Sequence, residues 1–129
     1  MHVRWMQWFV LSSLVALAGC STVYPTTSAG AGTYNSASGR LSWTYPAPLE
    51  RTYIASLAAL EGLDLRIQTK TLDGLEGRIE ALRADRTTVQ IYLKPVTDRT
   101  TEVKVKIGSF GDQEQAEHVH KNIRTQLQL

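Results

Sequence analysis

A regular alternation of apolar and polar residues runs through the second half of the chain, and it constrains the fold more than any other feature. Four runs between residues 63 and 107 place apolar side chains at every second position. That period is typical of β-strands with one buried face. The connections between the runs are short, which favours antiparallel neighbours. The apolar positions are Leu63, Leu65 and Ile67, then Ile79 and Ala81, then Val89, Ile91 and Leu93, and finally Val103, Val105 and Ile107.

A further strand and two helices complete the predicted domain. Leu41, Trp43 and Tyr45 alternate with polar residues and predict a strand that ends before Pro46. Pro48 suits the first residue of the helix that follows. Both helical segments space their apolar residues three and four apart, as amphipathic helices do. These residues are Leu49, Tyr53, Leu57 and Leu60, with Ile54 and Ala58 beside them, in the first segment, and Ala116, Val119, Ile123 and Leu127 in the second.

The order of these elements predicts a two-layer α+β domain over residues 40–129. We expect the order β-α-β-β-β-β-α, with two helices on one face of a five-stranded, mostly antiparallel sheet. With the strands numbered along the chain, the expected order across the sheet is 2-3-4-5-1. Gly62 is expected to cap the first helix at its C-terminus. Asp112 and Gln115 resemble a capping box at the start of the second.

The first nineteen residues have the composition of an export signal. A basic start precedes a mostly apolar run at residues 5–18, which is shorter than the roughly 20 residues that a membrane-spanning helix needs. The run ends in Leu17-Ala18-Gly19-Cys20, which resembles the lipobox of bacterial lipoproteins. We therefore predict a signal peptide over 1–19, cleaved between Gly19 and Cys20. The alternative is an ordinary secretory signal that contains a cysteine by chance.

The resemblance to lipoproteins implies a fate for Cys20. It would carry a thioether-linked diacylglycerol and an amide-linked fatty acid, and several acyl chains should hold the protein permanently at a membrane. As the only cysteine, it cannot form an internal disulfide. Ser21 stands where lipoproteins retained at the inner membrane of Gram-negative bacteria have Asp. This similarity implies a location on the periplasmic face of the outer membrane.

An uncharged stretch follows the lipobox. Residues 21–39 are mostly Ser, Thr, Gly and Ala, a composition that buries too little apolar surface to offset its ordering entropy. We predict that Cys20 and this stretch, residues 20–39, form a flexible tether with a reach of about 25 Å. The alternative is that residues 29–33 insert into the membrane interface.

The overall charge argues against nucleic-acid binding. The chain has 14 lysines and arginines against 12 aspartates and glutamates, and the predicted signal peptide removes Arg4. A mature charge near neutrality creates no field that would gather nucleic acid. We therefore expect no nucleic-acid partner.

Candidate catalytic and metal-binding residues are few. Ser109 lies in a glycine turn, but no histidine is placed by sequence to activate it. His118 and His120 are two apart on a predicted helix, so they cannot share an ion, since ligand pairs need a spacing of three or four. Carboxylates at Glu76, Glu80 and Glu102 could lie on one sheet face, but they are interleaved with Arg and Lys as in a solvated surface. We predict no enzymatic activity, no metal and no cofactor.

The glycine turn at residues 108–111 is a second candidate. Its backbone N–H groups at a helix N-terminus could bind an anion. The simpler interpretation is that the glycines permit a sharp turn and Phe110 fills the core. A carboxylate at Asp112 would also repel an anion. We favour the simpler interpretation.

The polar face of the predicted sheet is the strongest candidate for a docking site. It holds six bases against three acids on an otherwise balanced domain. Such a face could meet an acidic protein, peptidoglycan or the phosphates of lipopolysaccharide. The alternative is a solvated face whose charged strands suppress aggregation. The predicted docking residues are Arg66, Lys70, Arg78, Tyr92, Lys94, Lys104 and Lys106, with Asp64, Glu80 and Glu102 as the acids.

Several segments together resemble a known group of proteins. The segments 44–49 (TYPAPL), 73–81 (DGLEGRIEA) and 107–112 (IGSFGD), with 30–34 (GAGTY) after a lipobox, are similar to a family of small proteobacterial lipoproteins known only as a domain of unknown function. The resemblance implies no activity or site residues. More loosely, the element order resembles the helix-grip domains of outer-membrane barrel-assembly lipoproteins, a likeness of fold alone.

These observations predict a lipid-anchored domain that faces the periplasm and has no catalytic role. We expect an accessory or adaptor protein that docks another component of the cell envelope. The alternative is a module that binds a small ligand or the cell wall in the groove between helices and sheet. A hydrolase is the third candidate.

Overall fold

Eight elements follow one another along residues 32–129, which are the part of the chain described by the structure, a computed structural model. Six are strands and two are helices of fourteen residues each. Their bounds are β1 Thr33–Asn35, β2 Arg40–Tyr45, α1 Leu49–Gly62, β3 Arg66–Leu72, β4 Gly77–Leu82, β5 Thr88–Thr97, β6 Thr100–Ile107 and α2 Gln113–Gln126.

The strands form one antiparallel sheet in the order β1-β2-β6-β5-β4-β3. Helix α1 packs on β3, β4 and β5, helix α2 packs on β2 and β6, and the two helices contact each other. The predicted α+β class is confirmed, and so is the predicted order of the five longer strands. Within residues 32–129, no helix is long and apolar enough to cross a membrane.

The sixth strand, β1, lies in the segment predicted to be tether, so the predicted boundary after residue 39 is wrong. Tyr34 pairs with Leu41 and packs against the core. The turn that follows is closed by the Asn35 side chain, whose oxygen accepts hydrogen bonds from the N–H groups of residues 37 and 38. One aromatic residue and one Asx turn suffice to add these residues to the sheet.

Alternate residues of four strands build the core, as the period-two pattern predicts. The opposite side chains of the same strands stay at least partly exposed. Thr101 is the polar residue on the buried side of β6. The four apolar residues predicted for the second helix are also buried. The buried set comprises Leu41, Tyr45, Ile79, Ala81, Val89, Ile91, Leu93, Val103, Val105, Ile107, Ala116, Val119, Ile123 and Leu127.

Helix α1 is rotated from the face that its apolar residues predict. Leu49 and Leu57 are only half-buried and Ile54 is 60% exposed, whereas Thr52 and Ser56 are fully buried. Both hydroxyls donate to backbone carbonyls one turn earlier, Thr52 to Pro48 at 2.9 Å and Ser56 to Thr52 at 2.8 Å. Because their hydrogen bonds are made within the helix, burying them carries little penalty.

Both helices end in the same motif, without the glycine that sequence predicted for α1. After α1, Asp64 takes a left-handed conformation, its N–H donates to Glu61 and the N–H of Leu65 donates to Leu60. After α2, Gln128 does the same, with bonds from residues 128 and 129 to residues 125 and 124. This is a Schellman motif at each end. Gly62 is the last helical residue and not the cap.

The turn between β6 and α2 differs from its prediction. Phe110 is 92% exposed, so it does not fill the core. The turn is instead held against the β1–β2 turn by a contact between the backbones of Gly39 and Gly111, both at positive φ. Asp112 caps α2 by accepting a hydrogen bond from Gln115 N–H at 3.1 Å, which confirms the predicted role of that aspartate.

Candidate functional site

The sheet face opposite the helices carries most of the predicted docking residues. The register places Arg78 beside Tyr92 and Tyr92 beside Lys104, in a row that crosses β4, β5 and β6. Lys106 and Lys94 lie one step to either side of that row. Arg66 lies at the far end, where its partner is Leu82. We call this surface the outer face; its charged members are Arg40, Arg66, Arg78, Lys94, Lys104, Lys106, Glu80 and Glu102.

Lys70 was predicted to lie on this face, and that prediction is wrong. The register between β3 and β4 shifts between Ile67 and Thr69. Because a bulge inserts one residue, it reverses the alternation beyond it. Lys70 therefore pairs with buried Ile79 and lies on the helix side of the sheet, exposed at the edge.

Arg40 belongs to the outer face and was not in the predicted set. It alternates with Leu41, so its orientation was readable from sequence. Its neighbours were not, because they depend on the register in which β2 pairs with β6, far along the chain. The corrected outer face has six bases and two acids, since Asp64 lies in the turn after α1 rather than on a strand.

Two guanidinium groups flank the ring of Tyr92 near the middle of the outer face. The Arg78 guanidinium carbon lies 4.6 Å from the ring centroid, and that of Arg40 lies 4.9 Å from it. Both distances are within the range of cation–π attraction, which orients each guanidinium while leaving its N–H groups available. The arrangement holds two bidentate donors close together on a flat surface.

Like charges also face one another on this surface. Arg40 and Lys106 are direct partners across β2 and β6, a pairing that costs stability in a sheet. Glu102 pairs with the neighbouring Lys104, whose ammonium lies 3.6 Å away, and accepts a hydrogen bond from Ser42 at 3.0 Å. Arg78 makes a loose, exposed pair with Glu76 at 3.7 Å.

Shallow depressions flank the tyrosine. One lies toward β3, with Thr69 and Thr71 beside Arg78 and Tyr92. Another lies toward β1, beside Arg40 and Lys104. A further depression at the end of the sheet holds Arg66 with Asp64, Arg83 and Arg86. The outer face is therefore a basic surface with open depressions beside its arginines.

The carboxylates considered for catalysis do not converge. Glu80 lies on β4 and Glu102 on β6, with β5 between them, so two strand spacings of about 4.8 Å each separate their strands. Glu76 lies in the β3–β4 turn and Ser109 is exposed in the β6–α2 turn. Within residues 32–129, no three His, Cys, Asp or Glu side chains lie close enough together to hold a metal ion.

The two histidines of α2 lie in opposite environments. His118 is exposed, whereas His120 is buried in the core at 1% exposure. One ring nitrogen of His120 lies 2.9 Å from the Leu41 carbonyl oxygen, and the other lies 2.7 Å from the Tyr45 hydroxyl. Because a carbonyl only accepts, Nε2 carries the proton and Nδ1 is the acceptor.

Burial sets the protonation of this pair. Burial is the main reason that the pKa of His120 falls to about 4; the hydrogen bond to Leu41 opposes this shift, and the nearby charge of Arg124 adds to it. Burial also raises the pKa of the Tyr45 hydroxyl. Both groups are therefore neutral at physiological pH, and together they join α2 to β2. Sequence placed His120 beside the helix stripe but held no signal for its partner.

A depression also opens at one end of the interface between α2 and the sheet. Its apolar lining consists of core residues, among them Leu65, Val89 and Val119, and its polar rim includes Arg83 and His118. This depression is the place where the core between α2 and the sheet opens to solvent. The predicted lipidation and cleavage residues, Cys20 and Gly19, lie outside the described residues.

Comparison with known proteins identifies a family for this chain. The family model described as "Protein of unknown function (DUF3568)" matches residues 4–126. No curated protein matches the chain.

Proposed function

This chain belongs to the DUF3568 family of proteins of unknown function, and we propose that it is a lipid-anchored adaptor without catalytic activity. The proposed anchor is Cys20, on the periplasmic face of the outer membrane. The proposed docking site is the outer face, and the partner is an acidic protein of the cell envelope. The observation that carries the proposal is the ring of Tyr92 between Arg40 and Arg78, at the centre of a surface with three times as many bases as acids.

Charge complementarity supports an acidic partner. Six bases surround two acids on the outer face, although the whole chain is close to neutral. The direct pairing of Arg40 with Lys106 lowers stability in the free protein. A partner carboxylate between them would relieve that repulsion, and complementary charge across an interface raises association rate and specificity.

Tyr92 supports a protein partner. Tyrosine and arginine are enriched where proteins bind each other and contribute disproportionately to the binding energy. The guanidinium groups are already ordered against the ring, so less side-chain entropy is lost when a carboxylate binds. The surface is broad and shallow, which suits a protein better than a small ligand.

The small-ligand alternative has weaker support. Its groove between helices and sheet is filled by the core, and the depression at its open end is lined chiefly by core residues. A ligand pocket needs apolar walls and several convergent polar groups. The adaptor therefore remains our proposal.

The length of the proposed tether follows from the position of β1. Twelve residues, 21–32, separate Cys20 from Thr33. A flexible chain of that length has a root-mean-square reach of about 19 Å, less than the predicted 25 Å. We propose that the anchored domain works within a short distance of the membrane.

Replacing the anchor residue tests the lipid claim. We expect Cys20→Ser to move the protein from the membrane pellet to the soluble periplasmic fraction, because no acyl chain remains. The measurement is fractionation of cells followed by immunoblotting. Ser21→Ala, which keeps the cysteine, should still sediment with membranes. Continued sedimentation of the Cys20→Ser protein would show that the lipoprotein assignment is wrong.

Reversing charge on the outer face tests the docking claim. We expect the double change Lys104→Glu with Lys106→Glu to lower crosslinking to the envelope partner about tenfold, because both ammonium groups face the acidic surface. The measurement is crosslinking in intact envelopes, with the crosslinked protein quantified by mass spectrometry.

A matched control separates location from net charge. Lys121→Glu with Arg99→Glu makes the same change in charge at exposed positions on α2 and the β5–β6 turn. That variant should crosslink like the wild type, and both should unfold at similar temperatures. Equal crosslinking by the two double variants would remove the outer face from the proposal.

A further inference from the structure

Strand β3 forms an open edge of the sheet. It pairs only with β4, and every residue of it except Ile67 is exposed. The opposite edge is β1, which has three residues. A seven-residue edge offers a row of unpaired N–H and C=O groups to another extended chain. Of the two edge strands within residues 32–129, β3 is the longer and can therefore form more main-chain hydrogen bonds with an added strand.

The β3–β4 turn fixes which backbone groups point outward. Asp73 N–H donates to the Glu76 carbonyl at 3.2 Å, so residues 73 and 76 form a hydrogen-bonded pair. Such pairs alternate along an antiparallel ladder. The pairs Thr71–Arg78 and Thr69–Glu80 are therefore bonded to β4. Lys70 and Leu72 direct their N–H and C=O groups to the open edge.

The charges on β3 select what can pair with it. Arg66 and Lys70 are its charged residues, and it holds no acid. A second copy of β3 would bring these cations beside one another, which opposes self-pairing. An acidic strand meets the opposite sign. Arg66 and Lys70 therefore oppose pairing between two copies of β3 and favour pairing with an acidic strand.

The depression beside β3 favours a carboxylate in one row. Thr71 is short and stands between the edge and Arg78 on the outer face. A glutamate on an added strand could extend over Thr71 toward the Arg78 guanidinium, which lies against Tyr92 and makes only a loose, exposed ion pair with Glu76 at 3.7 Å. In the next row Glu80 stands behind Thr69 and would repel an acid. The acidic side chain therefore belongs level with Thr71.

We propose that β3 binds an extended acidic segment of the partner protein as a seventh strand, with a partner carboxylate directed at Arg78. This inference rests on the proposed adaptor function and adds the mode of recognition. Main-chain hydrogen bonds at Lys70 and Leu72 hold the segment. The cations of β3 and β4 select its sequence.

The test uses the full mature chain in detergent and, as the probe, a heptapeptide of alternating threonine and valine that carries one glutamate at its central threonine position. We expect the peptide to slow amide hydrogen exchange at Lys70 and Leu72, and to leave Thr69 and Thr71 unchanged because β4 already protects them. The same heptapeptide with lysine in place of the glutamate should give no protection. Failure of the glutamate peptide to protect the two amides overturns the proposal.

Two variants at one position separate backbone from charge. Lys70→Pro removes an outward N–H without breaking the ladder to β4, as is tolerated at a sheet edge, and should abolish peptide binding. Lys70→Thr keeps the N–H, and because residue 70 lies on the side of the sheet opposite the partner carboxylate, it should bind within about twofold of the wild type. Thermal unfolding confirms that both variants fold. Equal binding by Lys70→Pro and Lys70→Thr would contradict strand addition.

Further outcomes distinguish this inference from the adaptor itself. If Lys70→Pro keeps the envelope crosslink that the Lys104 and Lys106 reversal removes, the adaptor stands and strand addition is wrong. If the wild-type chain dimerises in sedimentation and Lys70→Pro makes it monomeric, the occupant is a second copy and the acidic segment is wrong.

Discussion

Gly111→Ala should lower the unfolding free energy of the domain by about 3 kcal/mol, roughly half the stability of a marginal domain. A Cβ at this position would overlap the Cα and carbonyl oxygen of Gly39, which are backbone atoms and cannot rotate aside. The φ of +89° adds the penalty of a left-handed side chain, about 1–2 kcal/mol. Chemical denaturation measures the loss. The expected fall in melting temperature is about 15 °C.

Gly74→Ala is the matched control for this prediction. Its φ is +84°, close to that of Gly111, but an added Cβ meets nothing within 4 Å. It should therefore show the conformational penalty alone, about 1–2 kcal/mol. The difference between the two variants measures the close approach of the turns beside Phe110. Equal losses would mean that the contact between Gly39 and Gly111 carries no stability.

Between pH 6.5 and pH 4 the unfolding free energy should fall by about 3 kcal/mol because of His120 alone. Its pKa is about 4 in the folded chain, against the ordinary 6.5 when unfolded. In this window the unfolded chain binds a proton that the folded chain excludes, so stability rises with pH. The loss is nearly complete at pH 4, where about half of the folded molecules have bound the proton as well. Urea denaturation at a series of pH values measures the slope.

His120→Gln should remove this pH dependence, because glutamine has no proton to gain. Tyr45→Phe should keep the slope but lower stability at every pH, since it leaves a histidine nitrogen without its hydroxyl donor. Asp73 and Asp85 do not interfere. Hydrogen bonds, chiefly from Leu75 N–H and the Thr87 side chain, lower their pKa from 3.8, so their contribution is lost only below that pH. A slope unchanged in His120→Gln would contradict the assignment.

The sequence predicted that one face of the sheet is solvated and basic, but it did not predict every residue on that face. Alternation with Ile79, Ile91 and Val105 placed Arg78, Tyr92 and Lys104 on a solvated surface, and the structure brings these three into one row. Lys70 was misplaced because nothing local marks the bulge in β3. A bulge depends on how a strand meets its neighbour, and one inserted residue reverses every side chain beyond it.

The pair formed by His120 and Tyr45 shows a second limit of sequence. Each residue lies in a recognisable element, but 75 positions separate them. Only the packing of α2 on β2 brings the hydroxyl to the ring nitrogen, and only the resulting burial shifts the pKa. The rotation of α1 about its axis also depends on packing between distant elements. Thr52 and Ser56 can be buried because their hydroxyls donate hydrogen bonds to carbonyls within the helix.

The amino-acid sequence by itself determined the two helices, the five longer strands with their order in the sheet, and the family, because side-chain periodicity and connection length are local properties. It also predicted the anchor at Cys20, which lies outside the described residues. Tertiary structure alone decided that β1 joins the sheet, that Arg40 reaches Tyr92, and that β3 is left as an open edge. Those features depend on contacts between distant segments, whose geometry is set only when the two layers pack.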